Sequence, residues 1–234
     1  MFKLNRIGSF KATVAIGVVA IMAFGNTSHA RKDPQSAWVK LCDKTPLHRA
    51  KKGASGTETI TKNICLTHHE RLDGNTGLVI ISAAIRKVEG DKRQTLMVMV
   101  PLGMALQPGV KAAVYTKKQW ARAQKKEQVK DNELKPLSLK YSFCHAAGCT
   151  AEIDAPKALI NSMKTGGGLM VLALNSTGRP VAFPIPLVGF KKAYNGKPID
   201  NAKYTEARKQ LMGQIRQRMR ARIEAQKVPE PKKN

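Results

Sequence analysis

Cysteine and histidine pairs are the residues of this sequence whose types and spacing suit chemistry. Cys144 and Cys149 stand on either side of His145, Ala146, Ala147 and Gly148. Thiols beside an imidazole are typical of a redox centre or a metal site, here with His68 or His69 as a further partner. The gap between the cysteines is neither the two-residue gap of thiol oxidoreductases nor the spacing of a zinc knuckle. A thiol- or metal-dependent enzyme is therefore the alternative hypothesis.

A structural disulfide is the simpler interpretation of the same cysteines. Strand-forming residues flank Cys144 and Cys149, and Gly148 can supply the positive φ of a tight reversal between them. The chain has four cysteines, which allow three pairings, and the sequence does not choose among them. We favour Cys42 with Cys65 and Cys144 with Cys149, because each pair brackets a local segment that can reverse direction. On the chain-entropy model these closures contribute on the order of 3 and 2 kcal/mol.

Two other motifs resemble parts of a metal site or a catalytic site, but the sequence lacks the further residues that such sites require. Neighbouring residues of a strand point to opposite faces, so His68 and His69 do not chelate one ion easily, and we expect a partly exposed pair at a strand end. The Lys164-Thr165-Gly166 string resembles an element of serine penicillin-interactive enzymes, but no Ser in the chain has a Lys three residues later. The glycines after Lys164 instead predict the end of a helix. The sequence thus predicts no catalytic residue, no metal site and no cofactor.

The N-terminus predicts export. Lys3, Arg6 and Lys11 precede the apolar run 12–24, and small residues end the segment at Ser28-His29-Ala30. This pattern is typical of a signal peptide over residues 1–30 that is cleaved after Ala30. No later stretch approaches the roughly 20 apolar residues of a spanning helix. We expect an exported protein without a transmembrane span that is periplasmic, associated with the outer membrane or secreted, where cysteines pair.

The charge predicts an anionic partner. The chain has 41 Lys and Arg against 16 Asp and Glu, and loss of the three basic residues of the signal peptide lowers the net charge from +25 to +22. Such a surface attracts polyanions. In an exported protein these are anionic lipid, lipopolysaccharide or an acidic surface partner, and the compartment argues against nucleic acid. The sequence does not indicate the oligomeric state.

Hydrophobic patterning predicts an all-β fold for residues 31–198. Short strand-like runs alternate with turn signals rather than with long helices, which favours an antiparallel β-sandwich of about nine short strands. One short helix is predicted at 156–164, a solvated loop at 49–58, and a surface insertion with a short helix around 120–126 at 116–136. Prolines in the last run predict an edge strand. The predicted strands cover 38–42, 62–67, 78–85, 95–106, 110–115, 137–143, 149–153, 169–174 and 180–187.

The last segment, 199–234, differs from the rest because it predicts a long basic helix over 201–227. Apolar residues recur at helical spacing, at Tyr204, Leu211, Ile215, Met219 and Ile223. Gly213 costs a helix about 1 kcal/mol relative to Ala, so this helix needs a surface on which to pack. Basic residues occupy its other faces and are the predicted binding residues for an anionic partner. They are Arg208, Lys209, Arg216, Arg218, Arg220 and Arg222.

Several strings also carry a family resemblance. They are NICLTHHERLDGNTG (63–77), VMVPLGMALQPG (98–109), CHAAGCTAE (144–152), KTGGGLMV (164–171) and PVAFPIPLVGF (180–190). Over residues 38–218 the chain resembles the invasion-associated locus B family of alphaproteobacterial exported proteins. The resemblance implies an envelope or secreted protein that, in pathogenic members, is linked to entry into host cells, with no established catalytic residues.

These observations lead to one hypothesis and two alternatives. The first is a non-enzymatic exported envelope protein that binds an anionic envelope or host-surface partner and contributes to host-cell invasion. The thiol- or metal-dependent enzyme is the second. The third is a periplasmic assembly chaperone that uses an exposed strand edge.

Overall fold

Strands dominate the computed structural model, which describes residues 38–50 and 56–226. The predicted signal peptide lies outside these residues and stays a prediction. The described strands are β1 (Val39–Ala50), β2 (Thr57–Leu72), β3 (Val79–Val88), β4 (Gln94–Val100), β5 (Val110–Tyr115), β6 (Leu137–His145), β7 (Gly148–Asp154), β8 (Gly168–Leu174) and β9 (Pro180–Pro186).

All nine strands belong to one antiparallel sheet in the order β1-β2-β3-β4-β7-β6-β5-β8-β9. The sheet folds over at β6, which pairs with β5 through residues 137–139 and with β7 through residues 140–145. Its two ends then approach each other, and the indole N–H of Trp38 donates to the carbonyl of Pro186 at 2.8 Å. The predicted all-β sandwich is confirmed.

The core lies between the two halves of the folded sheet. Period-2 alternation sends every second side chain of a strand inward, and Ile81, Ala83 and Ile85 of β3 are almost fully buried in this way. Strands β8 and β9 close the other side of the core with Leu169, Val171 and Ile185. Burial of these aliphatic side chains drives the two halves together.

The β1–β2 hairpin is longer than the sequence predicts. The predicted first strand ends at residue 42 and the predicted loop covers 49–58, whereas β1 continues to Ala50 and β2 begins at Thr57. Polar composition suggested a loop, but β-branched Thr57, Thr59 and Thr61 favour a strand. A two-stranded ribbon that extends past the core needs no apolar face, so its sequence resembles that of a loop.

The described residues also form four α-helices: α1 (Lys117–Gln124) and α2 (Lys157–Thr165) between strands, and α3 (Phe190–Asn195) and α4 (Asn201–Ala225) after β9. A 3-10 turn, Asp131–Glu133, follows α1. The α1 helix starts at a capping box, because Thr116 accepts from the Gln119 N–H and Gln119 accepts from the Thr116 N–H. Helices α1, α2 and α4 correspond to predicted elements, whereas α3 was not predicted. Within the described ranges, no helix combines the length and apolar character that a membrane crossing requires.

The glycines after α2 have a second role besides ending the helix. The N–H of Gly166 donates to the Ser162 carbonyl at 2.8 Å, as a helix end requires. A Cβ at Gly168 would overlap the ring of Trp120. Glycine therefore allows α1 to pack its tryptophan directly on the start of β8.

Candidate anion-binding surface on the C-terminal helix

Helix α4 begins beside the edge strand β1. Asp200 caps its N-terminus by accepting from the Lys203 N–H at 2.8 Å. The Ile199 N–H donates to the Lys40 carbonyl at 2.8 Å, and the Asn201 amide donates to the Cys42 carbonyl at 2.9 Å. These bonds fix the start of the helix on the outer edge of the sheet.

An ion pair and an apolar contact hold one face of α4 against β2 and the loop after it. Arg208 donates two hydrogen bonds to the Glu70 carboxylate, at 3.0 and 2.9 Å. These hydrogen bonds raise the pKa of Arg208 above its ordinary value. Ile215, about two helical turns after Arg208, is buried. Met212 covers Gly77 so closely that a Cβ there would overlap it. Arg208 therefore anchors the helix to the domain.

A stripe of three basic residues occupies another face of α4. Lys209, Arg216 and Arg220 are separated by seven and four residues, so they lie on the same side of the helix. All three are exposed. We call these three residues the basic stripe. Gly213 lies on the same side of the helix, between Lys209 and Arg216, and has no side chain that could cover them.

The two remaining predicted residues flank the docked face. Arg222 donates to the Asn75 side chain in the loop between β2 and β3. Arg218 lines a groove between α4 and β2, together with Leu211 and Tyr204. The structure thus brings three of the six predicted residues together, ties Arg208 and Arg222 to the domain, and places Arg218 between. The hydrogen bonds between Arg208 and Glu70 could not be predicted from the sequence, because the two residues lie 138 positions apart in the chain.

The cysteines are all paired within the sheet. Cys42 bonds Cys65 and Cys144 bonds Cys149, with Cα atoms 4.0 Å apart in each pair. Both bonds join residues directly opposite each other in neighbouring strands. None of the four cysteines has a free thiol in the described residues. His145 is exposed at the hairpin end, where its ring stacks on Phe143 and accepts from the Ala147 N–H.

The two adjacent histidines are separated by the sheet, as the alternation of a strand requires. His68 faces α4, where burial and then Arg208 lower its pKa against the opposing effect of Glu70. His69 is 4% exposed and packs on Trp38, with ring centroids 5.2 Å apart. The expected exposed pair at a strand end is therefore wrong for His69, because β2 continues past it to Leu72. Across the described ranges, no cluster of three potential metal ligands is found.

Burial dominates the chemistry of His69. It lowers the pKa of the imidazole to about 4, with further contributions from the charges of His68 and Arg71. Neither ring nitrogen has a hydrogen-bond partner among the described residues. His69 is therefore a neutral core residue at neutral pH.

The assembly-chaperone alternative requires a sheet edge with free backbone N–H and C=O groups. Both edges of this sheet have fewer such groups than an ordinary edge strand. The outward carbonyls of β1 at Lys40 and Cys42 are already bonded to residues before and within α4. Strand alternation puts Pro46, which has no N–H, on the same outward edge. On the other edge, β9 contains Pro180, Pro184 and Pro186, in agreement with the predicted edge strand.

A comparison with known protein families identifies the family of this chain. The profile described as "Invasion associated locus B (IalB) protein" matches residues 38–198. The chain belongs to the invasion associated locus B family. The predicted family is thus confirmed, and the match covers the whole described sheet up to the residues before α4. The family and the two disulfides indicate an exported protein.

The chain is also similar to individual proteins. The chain is 27% identical over 130 residues to an invasion protein B homolog of Brucella abortus strain 2308, covering 55% of this chain and 65% of the relative. A homolog from Brucella abortus biovar 1 strain 9-941 matches to the same extent. The crystal structure of invasion associated protein B from Bartonella henselae matches with a TM-score of 0.44 and 18% identity, over 57% of this chain and 82% of that one. The chain thus spans somewhat less than two thirds of the Brucella relatives, which are named as invasion proteins and not as enzymes.

Proposed function

We propose that this protein is a non-enzymatic exported envelope protein that binds a phosphate-rich anionic surface through the basic stripe of α4. The observation that carries the proposal is the way α4 is held. Arg208 and Glu70 fix one face on the domain, so Lys209, Arg216 and Arg220 face away from it in a defined arrangement.

The charge of the whole molecule supports the same function. A net charge of +25, or +22 after cleavage of the predicted signal peptide, draws anionic surfaces from a distance, and the effect is screened by salt. Each basic residue near an anionic membrane surface contributes about 1 kcal/mol of binding free energy. Three aligned residues therefore supply about 3 kcal/mol, or roughly a hundredfold in affinity. Since the Brucella relatives are named for invasion, contact with such a surface during host-cell invasion is the role that we propose for this binding.

Vesicle binding tests the proposal. The purified protein is sedimented with vesicles that contain phosphatidylglycerol, with phosphatidylcholine vesicles, and with lipopolysaccharide, over a range of salt concentrations. We expect binding to the phosphate-bearing anionic surfaces that weakens steeply with salt, and no binding to phosphatidylcholine. The preference between phosphatidylglycerol and lipopolysaccharide identifies the source of the phosphate.

A matched pair of variants locates the binding surface. The variant Lys209→Gln/Arg216→Gln/Arg220→Gln should lose roughly a hundredfold in affinity. The control Lys117→Gln/Lys118→Gln/Lys125→Gln removes the same charge from exposed positions in and beside α1. Equal losses in the two variants would show that net charge alone drives binding and would overturn the assignment to α4. Salt-insensitive binding, or none, would overturn the function itself.

A further inference from the structure

A cavity of about 300 Å³ opens where the sandwich core ends. Along the inward face of β3 the side chains change from Ile81, Ala83 and Ile85 to Lys87, and Glu89 follows just after the strand. The apolar core therefore stops at Ile85, and the same face continues as a polar surface toward the β1–β2 hairpin. The cavity lies at this boundary and is distinct from the basic stripe of α4.

Two rows of paired residues form the cavity floor. Lys40, Thr67 and Ile85 are consecutive partners across β1, β2 and β3. In the next row, Cys42, Cys65 and Lys87 are consecutive partners across the same strands. Directly paired residues present their side chains on one face. The register thus places a lysine at opposite ends of two adjacent rows, with Thr67 and the Cys42–Cys65 disulfide between them.

The roof of the cavity is Tyr194, in the last turn of α3. Its hydroxyl donates to Gln94 Oε1 at 2.8 Å, and Lys164 Nζ lies 4.3 Å from the centre of its ring. Lys40 Nζ donates to the Gly196 carbonyl just after α3 at 2.8 Å. These contacts fix the ring over the floor, so the cavity is formed before any ligand arrives.

The charges around the cavity are mainly positive. Lys40 and Lys87 line it together with one carboxylate, that of Glu89. Glu89 accepts the Asn63 N–H through Oε2 at 3.0 Å, and its carbonyl accepts from Lys62 Nζ at 2.9 Å. Glu89 is thus bound at the rim to the β2 backbone. Burial, and then the charge of Lys87, lower the pKa of Lys40.

We propose that this cavity binds a small phosphate monoester whose phosphate lies between Lys40 and Lys87 and whose body packs under Tyr194. Two ammonium groups match the double charge of a phosphate monoester better than the single charge of a carboxylate, and lysine is a common point-charge partner of phosphate. The ammonium group of Lys40 keeps two N–H donors besides the one bound to the Gly196 carbonyl. Thr67 adds a hydroxyl, while Ile85, the disulfide and the tyrosine ring supply an apolar wall.

The cavity is at the small end of the range for ligand pockets, so a single-ring compound is a suitable probe. Phenyl phosphate carries both the phosphate group and an aromatic ring, whereas phenol has the ring alone and inorganic phosphate has the charge alone. Benzoate has the ring with a single negative charge. Calorimetry with the purified protein should show phenyl phosphate binding more tightly than inorganic phosphate. Phenol should not bind measurably, and benzoate should bind at least tenfold more weakly than phenyl phosphate.

Variants and amide chemical-shift mapping locate the site. Lys87→Gln leaves the fold intact because Lys87 is exposed, and it should weaken phenyl phosphate binding about tenfold or more. The exposed Lys157→Gln is the matched control and should bind as the unaltered protein does. The shifts should cluster at residues 63–67, 85–89 and 194.

Three results would overturn the proposal. They are an equal loss in Lys157→Gln, shifts spread over the basic surface, and equal binding of benzoate. The variant without the basic stripe should bind phenyl phosphate normally. Vesicle binding and pocket binding therefore fail or succeed independently.

Discussion

The two disulfide hairpins of this sheet hold their strands in different ways. Cys144 and Cys149, five residues apart, close a turn of Ala146 and Ala147, and β7 is also paired with β4 on its far side. Cys42 and Cys65 lie 23 residues apart, and β1 is the edge strand of the sheet. The bond in the β1–β2 hairpin thus restrains a long ribbon that has a strand partner on one side alone.

Close packing adds a further restraint in the β6–β7 hairpin. Gly148 has φ of +150°, and a Cβ at this position would overlap the Val100 carbonyl of β4. The backbones of β4 and β7 therefore lie in direct contact beside the disulfide. Loss of this disulfide should therefore open β7 locally less than loss of the Cys42–Cys65 bond opens β1.

The largest effect is expected for removal of the edge disulfide. Cys42→Ala/Cys65→Ala should lower the free energy of unfolding by about 3 kcal/mol, because it releases the longer loop. Urea unfolding under non-reducing conditions measures the loss. Amide exchange should accelerate first in β1, which would then be held by β2 and by the contacts before α4. Uniform acceleration across the sheet would contradict the picture of a locally restrained edge.

Acid should destabilise the β1–β2 hairpin through His69. The pKa of this residue is about 4 in the folded protein and about 6.5 when unfolded. Protons therefore bind the unfolded chain first, so stability is full above pH 6.5 and is lost as pH falls toward 4. The loss approaches about 3 kcal/mol at pH 4.

Two substitutions separate the titration of His69 from its polarity. His69→Leu should flatten the pH dependence and be at least as stable at pH 7, because neither ring nitrogen has a hydrogen-bond partner. His69→Gln should flatten the curve in the same way but leave buried polar atoms, so it should gain no stability at pH 7. Urea unfolding between pH 7 and pH 4 measures both. A pH dependence unchanged in both variants would assign the acid sensitivity to other groups.

A smaller loss is expected in the β6–β7 hairpin. Cys144→Ala/Cys149→Ala should lower the free energy of unfolding by about 2 kcal/mol, because the released loop is short. Amide exchange in β7 should stay slow because pairing with β4 persists. A larger loss of unfolding free energy in Cys144→Ala/Cys149→Ala than in Cys42→Ala/Cys65→Ala would contradict the contrast between the two hairpins.

The smallest effect is expected at the contact between β2 and α4. Glu70→Gln keeps the shape of the side chain but removes its charge, so one of the two hydrogen bonds from Arg208 is lost and the other no longer has a charged acceptor. Partial exposure screens this pair, and we expect a loss of about 1 kcal/mol. The exposed Glu206→Gln on α4 is the control. Faster amide exchange confined to α4 would support the anchor, and equal behaviour of the two variants would contradict it.

The sequence predicts this fold well where signals are local. The favoured cysteine pairs are those of the structure, because both partners lie in neighbouring strands joined by one turn. The long helix was predicted from the helical spacing of its apolar residues. By contrast, the six residues of α3 are too few for a hydrophobic period to identify them.

Non-local packing explains what the sequence did not reveal. The burial of His69 depends on Trp38 and on Phe190, which packs 4.9 Å from the same indole. The cavity between Lys40 and Lys87 needs the register of three strands and the position of Tyr194. Each of these contacts joins residues from distant parts of the chain, so no local sequence pattern indicates it. The basic residues of α4 were predicted as a set, but their division into anchors and stripe depends on Glu70 and Asn75.

The first cysteine of the chain pairs with the second, and the third pairs with the fourth, which has a consequence for biosynthesis. A chain that enters an oxidising compartment from its N-terminus exposes Cys42 and Cys65 before Cys144 and Cys149. Oxidation in order of arrival then yields the native bonds directly. Such a chain needs an oxidant but no reshuffling of wrong pairs, a process that otherwise takes seconds to hours.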